Sequence, residues 1–62
     1  MAGLNVSSRD FGKILRRNGF RLVRQTGDHN IYKDDRGRVV SVPMHLNPII
    51  AQRLARENNL KL

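Results

Sequence analysis

The hydrophobic period changes twice along this chain. Phe11, Ile14 and Leu15 recur at the three-and-four spacing of one helix face. From Phe20 to Val42 the apolar residues fall instead into short alternating or β-branched runs, and after Asn47 the pattern of Ile50, Ala51, Leu54 and Ala55 returns to helical spacing. A chain of 62 residues with this order is one domain, spanning 1–62. Its expected fold class is α+β: helix, three-stranded antiparallel sheet, helix. A three-stranded meander needs one covered face, so both helices are expected on one face of the sheet, leaving the other open.

Local signals place the boundaries. Ser7 followed by Asp10 fits a capping box, so the first helix starts at Ser7 or Ser8, after a flexible lead-in over residues 1–6. Asn18-Gly19 stops it, and Arg16 and Arg17 suit the negative end of its dipole. The first strand is expected over Phe20–Gln25, the second over His29–Lys33 after the turn Thr26-Gly27-Asp28, and the third over Arg38–Val42 after the loop Asp34-Asp35-Arg36-Gly37. Pro43 is expected to end the ladder. Asn47 as N-cap with Pro48 at the first helical position opens the last helix, which runs to Asn58-Asn59; Leu60 is positioned to fold back onto the core.

Charge narrows the function. Twelve Lys and Arg against five carboxylates leave a formal charge of +7, which favours a polyanion or an acidic protein as partner. The longest apolar run, Pro48-Ile49-Ile50-Ala51, is far below the ~20 residues of a membrane span, so a soluble intracellular protein is expected. There is no Cys, and the two His have 15 residues between them, which is no recognised metal-ligand spacing. Neither a nucleophile elbow nor a Gly-rich phosphate loop is present; each of the five Gly is accounted for by a turn or a flexible terminus.

What remains is His29, at the head of a strand after a Gly turn and in a cationic surround that includes Arg24 and Lys33 on adjoining strands. It can cap the turn through a hydrogen bond. It can also take a proton from a ribose 2′-hydroxyl or give one to a leaving 5′-oxygen, the requirement for metal-independent RNA cleavage. His45 is either an ordinary loop histidine, a phosphate ligand or the second acid/base. Arg16, Arg17, Arg21, Arg24 and Lys33 form the basic set that favours nucleic acid over a merely solvated face. One Tyr and two Phe do not make a stacking platform, so Tyr32 is expected to pack rather than to bind a base.

The segment Asn18-Gly19-Phe20-Arg21-Leu22-Val23-Arg24-Gln25-Thr26-Gly27-Asp28-His29-Asn30-Ile31-Tyr32-Lys33, followed by Gly37-Arg38-Val39-Val40-Ser41-Val42-Pro43-Met44-His45, resembles the HicA (YcfA-like) toxin family over about Ser8 to Leu60. The resemblance implies a double-stranded-RNA-binding-domain-like fold, ribosome-independent cleavage of mRNA in the cytoplasm, and neutralisation by a HicB-type antitoxin. It implies that His29, the His of the Gly-x-His turn, is the catalytic residue. Asp28 stands where Ser is frequent in the family, Leu46-Asn47-Pro48-Ile49-Ile50 replaces a Lys-Pro-Gly-Thr-like entry to the last helix, and Asn58-Asn59-Leu60 replaces an Ala-Gly-Leu-like close.

The reading is therefore an endoribonuclease toxin with no cofactor and no metal: His29 transfers protons, and Arg16, Arg17, Arg21, Arg24, Lys33 and His45 bind RNA. Two other classes compete with it: a non-catalytic RNA- or DNA-binding module of the same fold, and an interaction protein whose basic surface meets an acidic partner.

Overall fold

The computed structural model describes residues 3–62 and has the expected order: α1 (Ser8–Arg17), β1 (Arg21–Thr26), β2 (His29–Lys33), β3 (Val39–Pro43) and α2 (Pro48–Glu57). The three strands form one antiparallel sheet in the order β1-β2-β3, with β2 in the centre. Phe11, Ile14 and Leu15 of α1 and Ala51 and Ala55 of α2 pack with Tyr32, Val40 and Val42 from one face of that sheet. Phe11, Leu15, Val40 and Val42 are fully buried. Truncating a buried Phe such as Phe11 to Ala costs about 3–5 kcal/mol, a large share of what a domain this small has to lose. Among the described residues no helix is long and apolar enough to cross a membrane.

Both helices begin and end on local devices. The Ser7 Oγ accepts from the Asp10 N–H at 3.1 Å, and the Asn47 Oδ1 from the Ile50 N–H at 2.8 Å. At the far end of α1 the Gly19 N–H donates to Arg16 O and the Phe20 N–H to Leu15 O, the paired bonds of a Schellman motif. That motif takes Phe20 out of the expected first strand and turns it into the core, 3% exposed. α2 ends the same way: Asn59 donates to Arg56 O, Leu60 to Ala55 O, and Leu60 packs on the core as expected. Here the left-handed position is held by Asn59, with φ of +52°. Asn18 ties the two ends together, its side chain donating to Lys61 O and accepting from the Lys61 N–H.

Three expectations change. Gly12 lies inside α1, where neither a turn nor a flexible terminus explains it; a Cβ there would run into the Tyr32 hydroxyl, so its absence lets the helix close on the sheet. Pro43 does not stop the ladder but forms its last rung, opposite His29, on an edge strand where a missing N–H is tolerated. The flexible lead-in expected over 1–6 falls outside the described residues at Met1 and Ala2. Beyond them, Leu4 donates to Pro48 O at 2.9 Å, and Leu4 and Val6 pack against the core.

The β2–β3 loop is built on one carboxylate. Asp34, 6% exposed, accepts from the backbone N–H of Arg36 and Arg38 and from Arg38 Nε at 2.7 Å. Arg38 in turn lies over the Phe20 ring at 5.2 Å and donates to Asn58 O, so this loop reaches the closing segments of both helices. Burial pushes the Asp34 carboxyl up, but the hydrogen bonds from Arg38 and Arg36 and the guanidinium charge outweigh it and hold it below the ordinary value of 3.8. A carboxylate lowered on folding stabilises the fold above its unfolded value, and that contribution fades as pH falls through the lower folded value. Asp34→Asn should therefore be less stable than the parent at neutral pH. The gap should shrink as urea denaturation is repeated down to about pH 2; a gap independent of pH would show that the carboxylate charge is not its source.

Candidate functional site

A glycine sets the hairpin that carries the site. Thr26 and His29 are directly opposed in the β1–β2 ladder, leaving Gly27 and Asp28 as a two-residue connection. Such hairpins need positive φ at a central residue, and Gly27 supplies it at +47° without a Cβ clash. His29 thus heads the central strand, with Thr26 on one side and Pro43 on the other. Because Tyr32 is buried in the core, strand alternation puts Asn30 on the inner face and His29, Ile31 and Lys33 on the open one. The imidazole is exposed.

The same hairpin gathers the second histidine. Just past the Pro43 rung, the Met44 N–H donates to Asp28 O at 2.6 Å, bonding the β3–α2 loop to the β1–β2 turn. His45 is the next residue and is exposed, so the two histidines share one end of the sheet.

The arginines of β1 reach the open face through an irregularity. Arg21 and Arg24 are three apart, and strict alternation would put them on opposite faces. The ladder, however, passes from Leu22 opposite Tyr32 directly to Arg24 opposite Ile31, so Val23 is an extra residue and the strand changes phase there. Arg21, Arg24 and Thr26 consequently stand beside Lys33, Ile31 and His29. Arg24 is a diagonal neighbour of His29, about 7–8 Å away between backbones and within reach of a long side chain. Lys33, expected at the side of His29, lies instead at the other end of β2, about 13 Å along the strand, facing Arg21. Arg21 is paired with Asp35 at 3.0 Å, with both side chains exposed, a bond that salt weakens.

Arg16 and Arg17 are also exposed but belong to the helix layer, on the other side of the sheet from His29. The expected basic set is therefore split across two faces. The helix layer holds groups that the sequence reading passed over: Arg9 and Lys13 continue Arg16 along α1, and all three line a cleft with Asn30. The i, i+4, i+7 spacing of 9, 13 and 16 was the available signal. Chemically, the open-face end combines a solvent-accessible imidazole, a second histidine on a bonded loop and a cation one diagonal away. These are the parts for moving a proton next to a phosphate.

A family model described as HicA toxin of bacterial toxin-antitoxin matches residues 8–61. Comparison with curated proteins and with solved structures gives no match. The likeness to double-stranded-RNA-binding domains thus rests on the sequence resemblance.

If Gly27 places both loops, Gly27→Val should cost about 1–2 kcal/mol through its left-handed backbone. The backbone amide signals of His29 and Met44 should shift while those of α2 stay in place. Unmoved His29 and Met44 signals would mean that the turn does not hold the two histidine segments together.

Proposed function

The chain belongs to the HicA toxin family of bacterial toxin–antitoxin systems, and on that premise we propose that it is a cytoplasmic endoribonuclease that cleaves mRNA with His29 as its proton-transfer residue. The observation that carries this reading is the end of the sheet where His29 is exposed, with Arg24 diagonal to it and His45 on the loop bonded to its turn. In the proposed reaction His29 takes the proton of a ribose 2′-hydroxyl, and the 2′-oxygen forms a bond to the neighbouring phosphorus. The P–O5′ bond breaks, and the departing 5′-oxygen receives a proton from the second acid/base, a role this reading gives to His45. Arg24 neutralises the charge that develops on the phosphoryl oxygens. The products are a 2′,3′-cyclic phosphate and a 5′-hydroxyl, with no cofactor in the balance. The remaining cations, Arg21 and Lys33 on this face and Arg16 and Arg17 on the helix layer, hold the RNA backbone.

His29→Ala should lower the cleavage rate by about 10²- to 10⁴-fold, the usual loss when a proton-transfer group is removed. Because the side chain is exposed, fold and RNA affinity should stay near those of the parent. Cleavage should persist in EDTA and stop when the scissile nucleotide carries a 2′-deoxyribose. Parent-like cleavage by the variant would remove His29 from the mechanism. RNA binding without any cleavage by the parent would favour the second reading, a binding module, to which the cations of the helix layer contribute.

Family membership also implies an antitoxin. We expect a HicB-like protein with an acidic surface that covers the open face around Gly27–His29, since charge complementarity and masking are then achieved together. Hydrogen exchange of that turn should slow in the complex. Protection confined to a remote surface would argue for inhibition at a distance.

A further inference from the structure

α1 carries cations that its own stability does not explain. Arg9 stands in the first turn, at the positive end of the helix dipole, and repels Lys13 four residues on, which in turn repels Arg17. The two ion pairs of the described residues, Arg21–Asp35 and Arg38–Asp34, leave these groups out. All of them are exposed. Like charges that work against the helix and that no carboxylate of the chain offsets call for an anion from elsewhere.

The surroundings say what kind of anion fits. Arg9, Lys13 and Arg16 border a cleft of about 380 Å³ between α1 and the sheet, which Leu22 and Met44 also line. Those two are apolar side chains left in water, 41% and 40% exposed. The helix rises about 10 Å from Arg9 to Arg16, room for about two to three successive phosphates of an extended strand. Cations so spaced beside apolar surface fit a single nucleic-acid strand, which brings regular backbone charge together with base faces that any sequence offers. A duplex hides its base faces and is too stiff to turn into a cleft of this size.

Met44 gives the strand a direction. Its N–H is bonded to Asp28 O at the turn, it lines the cleft, and the next residue is His45. In the proposed reaction His45 protonates the departing 5′-oxygen, which belongs to the nucleotide on the 3′ side of the broken bond. That nucleotide is thus the one on the His45 side, where the loop leads through Met44 to the cleft. We propose that the RNA on the 3′ side of the scissile bond runs as a single strand into this cleft, its phosphates held by Arg9, Lys13 and Arg16; the proposal rests on RNA cleavage at His29 with His45 as the acid. The substrate then passes round the turn end of the sheet, with its 5′ part on the open face and its 3′ part on the helix layer. An acidic protein would also answer the charge of the ridge, but the continuity with the His45 loop favours the strand that is being cleaved.

The test uses short strands of 2′-O-methyl RNA that carry a single ribonucleotide, so that one bond alone can be cleaved. Lengthening the strand by about three nucleotides on its 3′ side should raise kcat/KM of the parent about 10-fold at low salt, and the gain should fade as salt rises, as phosphate contacts do. The double variant Arg9→Gln, Lys13→Gln should lose most of that gain, read as the ratio of long to short strand within one protein so that a general loss of activity cancels. Uncharged methylphosphonate linkages in the 3′ extension should remove the gain from the parent itself, which keeps the test decisive if the variant fails to fold. Annealing a complement to the extension should remove it too. Absence of a 3′ gain, a gain that survives the double variant or the uncharged linkages, or a ridge-dependent gain from the 5′ side instead would overturn the proposal and leave cleavage at His29 standing. Failure of the parent to cleave any strand would instead overturn the reading on which it rests.

Discussion

The extra residue at Val23 decides what the open face of the sheet can be. Upstream of it the chain alternates in phase with the inner face: Phe20, just before β1, is buried, and Leu22 sits opposite Tyr32. Without the extra residue, Arg24 would stand opposite Asn30, on the helix side of the sheet and away from His29. With it, Arg24 joins Arg21 and His29 on the open side, and Gln25 takes the inner position opposite Asn30. The irregularity thus lets one strand of six residues set Leu22 on the helix side of the sheet and both arginines on the open side.

Twin helix endings supply the other half of the scaffold. Asn18-Gly19-Phe20 and Asn58-Asn59-Leu60 make the same pair of backbone bonds, and each delivers its last residue to the core. Arg38 binds both, over the ring of Phe20 and at the carbonyl of Asn58, and its position is set by Asp34. A chain too short for a large core therefore also fastens its layers at their ends, through polar bonds at the surface and the part-buried Arg38–Asp34 pair.

This explains which parts could be read in advance. Caps, turns and strand positions depend on neighbours a few residues away, so Ser7, Gly19, Gly27, Asn47 and Pro48 announce themselves. His29 at the head of β2 follows from the same local grammar. The phase change at Val23 depends on which residues lie across the sheet; its only trace in the sequence is the adjacent pair Leu22-Val23 in a run that otherwise alternates. Gly12 depends on Tyr32, twenty residues on. The split of the basic residues into two faces could not be read either, because it combines the strand phase with the helix register.

Leaving one face of the sheet open also has an energetic side. Two helices cover one face and none remains for the other, so the β-branched residues of the outer side stay in water: Val39 is 58% exposed and Val23 46%. They stand on the same surface as Arg24 and His29. An apolar group that is left hydrated there gains roughly 25 cal/mol for each Å² that a partner later covers, while the cations attract an acidic one. The cations and the hydrated valines of this face are thus what make it worth covering. A single protein bound there would remove the exposed imidazole, the cations and the two valines from solvent in one step.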